Sequence, residues 1–217
     1  MEILQILWDR RAFFGTCLAE HIRISLTAVV IAGTLGILIG VLISPHKKAA
    51  GIVLGIVNVI YTVPSISLLG FLIPFTGIGN KTAVIALTVY GLLPIVRNTY
   101  TGLVNVDESV VEVARGLGSD KGQILFRIRF PLALPVIISG FRNMVVMIIA
   151  MGGIASFIGA GGLGVAIYRG ITTYNMTLTA AGSLLIAIFA LCADWLLGRL
   201  EKKVRGRFEV ERNDRNS

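Results

Sequence analysis

The sequence predicts an all-α integral membrane protein with about five transmembrane helices and a charged helix pair between the third and the fourth. Three observations carry this expectation. Of 217 residues, 55% are hydrophobic and 15% charged, with a mean hydropathy of +0.82, which is too apolar for a soluble domain. Uncharged runs recur at or above the roughly 20 residues that cross a hydrocarbon core. The net charge of +8 comes from basic residues at the ends of those runs. That is the pattern of a protein in a lipid bilayer; a nucleic-acid partner would call for one basic stripe, so none is expected.

Residues 1–20 place Ile3, Ile6, Leu7, Phe13, Phe14 and Leu18 at mixed three- and four-residue steps around Trp8, Asp9, Arg10 and Arg11. This predicts an interfacial amphipathic segment. Asp9-Arg10-Arg11 breaks the apolar run, which argues against a cleaved signal peptide. The membrane domain is expected over 21–200. Its first span, about 24–43, carries Gly33, Gly36 and Gly40, which permit close helix contact, and His46-Lys47-Lys48 makes a basic turn after it. Residues 49–80 are uncharged for longer than one crossing needs. A helix at about 50–73 is predicted, bent or broken near Pro64, followed by the glycine-rich turn Thr76-Gly77-Ile78-Gly79.

The third span, about 82–100, has Arg97 near its end, where a long side chain can reach the interface. The fourth, about 135–154, carries Arg142 roughly two turns in. A charge there faces a pore or partner, or snorkels to the surface. Residues 156–175 form a glycine-rich loop. The fifth span is about 176–197, with Asp194 in its last turns, and 201–217 is a polar, basic tail. With the N-terminus outside, fifteen Lys and Arg residues fall on the cytoplasmic side and five outside. The positive-inside rule thus places the charged helix pair and the C-terminus in the cytoplasm, and the chain in the cell membrane as a multi-pass protein. Cys17 and Cys192 fall on opposite sides and are expected as free thiols.

The charged island is residues 105–130. Asn105 can cap a helix, with Glu108 three residues on. Val106, Val110, Val113 and Leu117 form an apolar stripe away from Asp107, Glu108, Glu112 and Arg115. Gly118 suits a left-handed helix end. Ser119-Asp120 restarts a second helix, with Gln123 in capping position, and Pro131 is expected to close it. The product is a compact knob between hydrophobic spans, built to dock on another protein.

No residue set points to catalysis. His21 and His46 each stand beside a span end and read as interfacial polar groups, and no Cys/His cluster has metal spacing. Asn80 separates the glycine from Lys81 in Gly77-Ile78-Gly79-Asn80-Lys81-Thr82, so the phosphate-loop spacing fails. Gly159-Ala160-Gly161-Gly162-Leu163-Gly164 fits G-x-G-x-x-G, but it lies beyond a membrane span with no βαβ unit around it. Those glycines instead allow tight packing or a hinge near the outer mouth. No cofactor is expected on this chain.

Glu112-Val113-Ala114, Gly118 six residues after the glutamate, and then Pro131 and Pro135 resemble the EAA loop of ABC-importer permeases. Val113 replaces the usual middle alanine, and Phe130 precedes the first proline where leucine is usual. Thr62-Val63-Pro64-Ser65 with Leu68-Leu69-Gly70-Phe71, the run Leu93 to Gly102, and Phe157 to Gly164 look like the glycine betaine/carnitine/choline branch, and the resemblance covers most of 20–205. It implies a type I ABC importer permease fold and a non-catalytic subunit that forms the translocation path for quaternary ammonium osmoprotectants. The implied partners are a second permease subunit, identical or paralogous, two cytoplasmic ATPases that use the ATP, and an extracytoplasmic substrate-binding protein. The short tail leads to the expectation that this receptor is a separate chain.

Under this resemblance Val106, Val110, Glu112, Val113, Ala114, Leu117, Gly118, Pro131 and Pro135 couple to the ATPase. Tyr61, Pro64, Ser65, Tyr90 and Arg142 are candidates for the path, since aromatic faces hold quaternary ammonium groups. Gly159, Gly161, Gly162 and Gly164 form the external loop. The alternatives are an ABC permease for another small solute, such as an amino acid, or a secondary transporter without ATPase. Five spans do not divide into inverted repeats, and acids for ion coupling are missing apart from Asp194, which weighs against the secondary transporter.

Overall fold

The computed structural model describes the backbone of residues 2–213 and the side chains of residues 2–206. The described residues are almost wholly helical. In chain order they form α1 (Glu2–Asp9), α2 (Arg11–Ile43), α3 (Lys47–Thr62), α4 (Ser65–Thr76), α5 (Asn80–Val104), α6 (Glu108–Gly116), α7 (Lys121–Gln123), α8 (Phe130–Gly152), α9 (Gly164–Thr172) and α10 (Met176–Asn213). A π-helical turn, Ile124–Arg129, joins α7 to α8, and a 3₁₀ turn, Ile154–Ile158, follows α8. Four helical stretches are long and apolar enough to cross a membrane, and the bent pair α3–α4 makes a fifth. The bend is 100°. It falls where Pro64 withholds a donor and pushes Val63 into extended backbone, ψ 129°.

The core is a three-helix packing of α2, α5 and α8, brought close by glycines. A Cβ on Gly36 would collide with Ile95, one on Gly140 with Asn98, and one on Gly40 would lie 2.6 Å from the Thr99 Cβ. Ala28, Ala32, Ala83, Ala86, Ile95, Met144 and Ile148 fill the centre. Small residues at these crossings let dispersion contacts hold helices that the hydrophobic effect cannot drive together in lipid. α10 packs on α8 and α9. α3 and α4 lean on α5 and leave Ile52, Ile56, Val59, Phe71 and Phe75 exposed.

Several boundaries differ from expectation for physical reasons. The first membrane helix begins at Arg11, because nothing in 12–23 stops the coil. Only Glu2–Asp9 remains a separate short helix. It packs Ile3, Ile6 and Leu7 beside Phe14 and Leu178 and leaves Leu4 and Trp8 exposed. The glycine-rich stretch 156–175 is a loop for only half its length, and the rest is α9. Pro131 does not close a helix: the coil runs from Lys121 to Gly152. The π turn, in which the Phe130 amide donates to the Leu125 carbonyl, widens the coil just before the proline, so the ring enters at the start of α8 without breaking it. α10 continues to Asn213 in place of a tail from 201. Residues 214–217, and the side chains of Arg207, Arg212 and Arg215 counted in the basic tail, lie outside the described residues.

Candidate functional site

The knob starts two residues later than Asn105, because that residue ends α5, its amide donating to the Thr101 carbonyl. Asp107 is the cap instead, its carboxylate accepting the Ser109 amide at 3.0 Å. That backbone hydrogen bond holds the Asp107 carboxyl below the ordinary aspartate pKa. Gly118 takes φ +86°, and the Ser119 amide donates to the Ala114 carbonyl across the turn at 3.1 Å. Asp120 and Gln123 form a reciprocal capping box. Arg129 donates to Glu108 at 2.8 Å and ties the knob to the start of the next span.

Val111, Ala114 and Ile124 are buried inside the knob, with Val106 and Ile128 against them. Val106 and Ala114 therefore face inward and hold the two short helices together. Val110, Val113 and Leu117 face outward, 42%, 65% and 83% exposed, with Glu112 exposed beside them. Three large apolar side chains on a polar helix, with nothing covering them, are an unpartnered face. Behind the knob lies an open hollow of about 980 Å³, lined among others by Ser44, Lys47, Arg115, Lys121 and Arg129.

At the opposite end, the glycine-rich turn is fastened by three successive amides. Gly161 donates to Asn80 Oδ1 at 2.9 Å, Gly162 to Glu20 Oε2 at 3.0 Å and Leu163 to His21 Nδ1 at 3.3 Å. His21 Nε2 reaches the Ile149 carbonyl at 3.0 Å, which sets the neutral tautomer with its proton on Nε2. His21 is thus a buried joint between α2, α8 and the turn, and not the interfacial group its position suggests. Gly159 and Gly162 need their glycine, with φ +74° and +104°. A Cβ on Gly164 would collide with the Gly153 carbonyl.

The path candidates separate. Tyr61 and Tyr90 meet edge to face, with ring centroids 6.1 Å apart. The Tyr90 hydroxyl donates to the Val63 carbonyl beside the Pro64 break, and Ser65 lies nearby. Arg142 is elsewhere. Its Nε and one terminal nitrogen each reach Asp194 at 2.7 Å and the other reaches Glu201 at 3.0 Å, while a Cβ on Gly198 would lie 3.1 Å from the guanidinium carbon. It is an intrachain clamp between α8 and α10, its charge paired with two acids of the same chain. A groove of about 430 Å³ opens between α3, α5 and α8, lined by Tyr61, Leu93, Pro94, Arg97, Asn98, Asn143 and Met147. Sequence reasoning passed over Asn98 and Asn143 and gave Arg97 to the interface. Arg97-Asn98 following Pro94 inside an apolar run was the available signal.

Residues 32–206 match the family described as binding-protein-dependent transport system inner membrane component. The chain belongs to this family. Among relatives of the permease, the glycine betaine/carnitine/choline transport system permease protein OpuCD of Bacillus subtilis is 38% identical over 221 residues, covering 97% of this chain and 96% of the relative. The ergothioneine transport permease/ergothioneine binding protein EgtU of Helicobacter pylori is 50% identical over 159 residues, 73% of this chain, and the match spans only 29% of that longer protein. In structure, the permease superposes on a chain of the inward-facing MetNI methionine ABC transporter with a TM-score of 0.81 at 25% identity, covering 90% of this chain and 98% of that one.

Proposed function

We propose that this permease is the transmembrane subunit of an ATP-driven importer for quaternary ammonium osmoprotectants: glycine betaine, carnitine and choline. The observation that carries the reading is the outward face of Val110, Val113 and Leu117 on a knob fastened to a membrane-spanning coil. Such a face offers a cytoplasmic ATPase an apolar seat, with Glu112 as a charge partner at its edge. The solute class is supported by relatives aligned over nearly the whole chain. Two permease subunits, two ATPases and an extracytoplasmic receptor make up the proposed complex, with the N-terminus outside and the knob and C-terminus in the cytoplasm.

The mechanism follows from the rigidity of the connections. The knob passes into α8 through a continuous coil and is tied there by the ion pair of Arg129 with Glu108. ATP-driven approach of the ATPases would move both knobs, and the packed trio α2, α5 and α8 would carry that motion to the turn held by Asn80, Glu20 and His21. Direction comes from differential affinity of the two states for ATP and for the loaded receptor.

The test is uptake of radiolabelled glycine betaine, carnitine and choline, with ergothioneine as a fourth trimethylammonium compound, in cells with and without the gene under osmotic stress. Loss of one or more of the first three supports the reading. Loss of ergothioneine uptake alone would move the substrate out of the osmoprotectants.

A further inference from the structure

Arg97 is a charge without a counter-ion. It lies seven residues before the end of α5, about 10 Å along the helix at 1.5 Å per residue, and at the level where α5 crosses the middle of α8 through Asn98 and Gly140. It is exposed and makes no ion pair or side-chain hydrogen bond among the described residues. A guanidinium held in lipid carries a large desolvation cost, and the groove that Arg97 lines with Asn98 and Asn143 offers it a polar surface instead.

The neighbours agree with a wet face. Asn98 and Asn143 open into the same groove, and Asn98 already donates to the Pro94 carbonyl at 2.8 Å, which leaves its own amide oxygen turned to other donors. Tyr61 closes one side with a ring 45% exposed. The volume of about 430 Å³ falls in the range of small-molecule sites.

The central parts of the spans offer no acid that a second copy of this chain could bring to this level. Between Glu20 and Asp107, and again between Asp120 and Asp194, the sequence has no acidic residue. Glu20 holds the Gly162 amide, and Asp194 and Glu201 are both engaged by Arg142. A solute that carries its own anion would supply the counter-ion.

We propose that Arg97, with Asn98, Asn143 and Tyr61, forms an intramembrane transit site for a zwitterion, the guanidinium taking the carboxylate and the Tyr61 ring receiving the trimethylammonium end. This rests on the osmoprotectant reading above and adds a selectivity to it. Glycine betaine and carnitine carry a carboxylate that Arg97 can grip in a two-pronged hydrogen bond. Choline carries only a hydroxyl. Arg97 is then a specificity-determining residue.

The test uses the reconstituted complex with receptor saturated by each solute, so that receptor affinity drops out of the comparison. Arg97→Gln is expected to lower maximal uptake of glycine betaine and carnitine about tenfold or more relative to choline, the scale of a lost charge-assisted pair. Arg97→Lys should recover part of it, and retained choline transport is the control for folding. Equal loss for all three solutes would overturn the proposal and assign Arg97 to packing or to an acid on a paralogous subunit. No loss for any of them would overturn it too. If the wild-type complex carries none of the three, the osmoprotectant reading falls and takes this one with it, which separates the two failures.

Discussion

Truncating the outward face of the knob should uncouple the permease from its ATPase without unfolding it. Leu117→Ala removes three carbons from a side chain 83% exposed. At about 0.8 kcal/mol per buried methylene, docking recovers about 2 kcal/mol from that side chain. Val113→Ala removes two carbons from a side chain 65% exposed, or about 1 kcal/mol on the same scale. Together they amount to about 3 kcal/mol, a weakening on the order of 100-fold. The assay is the dissociation constant of the purified ATPase for the permease in lipid nanodiscs, with thermal unfolding of the permease measured alongside. Val111→Ala is the internal contrast: fully buried in the knob, it should loosen α6 and α7 themselves. Wild-type affinity in the Val113→Ala, Leu117→Ala double variant would refute the docking face.

Four further outcomes are expected. Gly162→Ala, at φ +104°, should cost about 1–3 kcal/mol of strain and be read as a lower thermal midpoint and faster proteolysis of the loop. Arg142→Gln should lower the midpoint by leaving Asp194 and Glu201 without their clamp, and the swap of Arg142→Asp with Asp194→Arg should restore part of it. Asp107 has a depressed pKa, so its cap stabilises the knob at every pH above the ordinary aspartate range and is lost as pH falls through the lower folded value. The protection factor of the Ser109 amide should accordingly be unchanged from pH 7 to about pH 5 and fall below about pH 4, whereas Asp107→Ala should lower it throughout. His21→Ala, which removes both the Ile149 and the Leu163 hydrogen bonds, should free the turn at 161–163 to exchange while the knob stays protected.

The spans were readable because each is an apolar run of membrane length with at most one charged side chain, and the break at Pro64 because proline acts locally. Capping at Asp120 and the left-handed Gly118 are likewise local chemistry. Where two local signals competed, reading by spacing misassigned them. Asn105 looked like a cap, but α5 ran into it and Asp107 took the role. Pro131 looked like a stop, but a π turn absorbed it. The inward and outward sides of the knob depend on where Ile124 and Ile128 return, so Val106 could not be told from Val110 on the sequence alone. Arg142, His21 and Arg97 illustrate the remaining limit. Each is a polar residue in an apolar stretch, and only the packing of distant helices decides that the first has two acids, the second has two backbone partners and the third has none among the described residues.

The central claim is that ATP drives the solute across through this subunit. Its most direct test is uptake of labelled glycine betaine, carnitine and choline into proteoliposomes holding the permease, its ATPase and its receptor. ATP-dependent accumulation of at least one, abolished when the knob variants release the ATPase, is the predicted result. Uptake that proceeds on an ion gradient with the ATPase absent would contradict it.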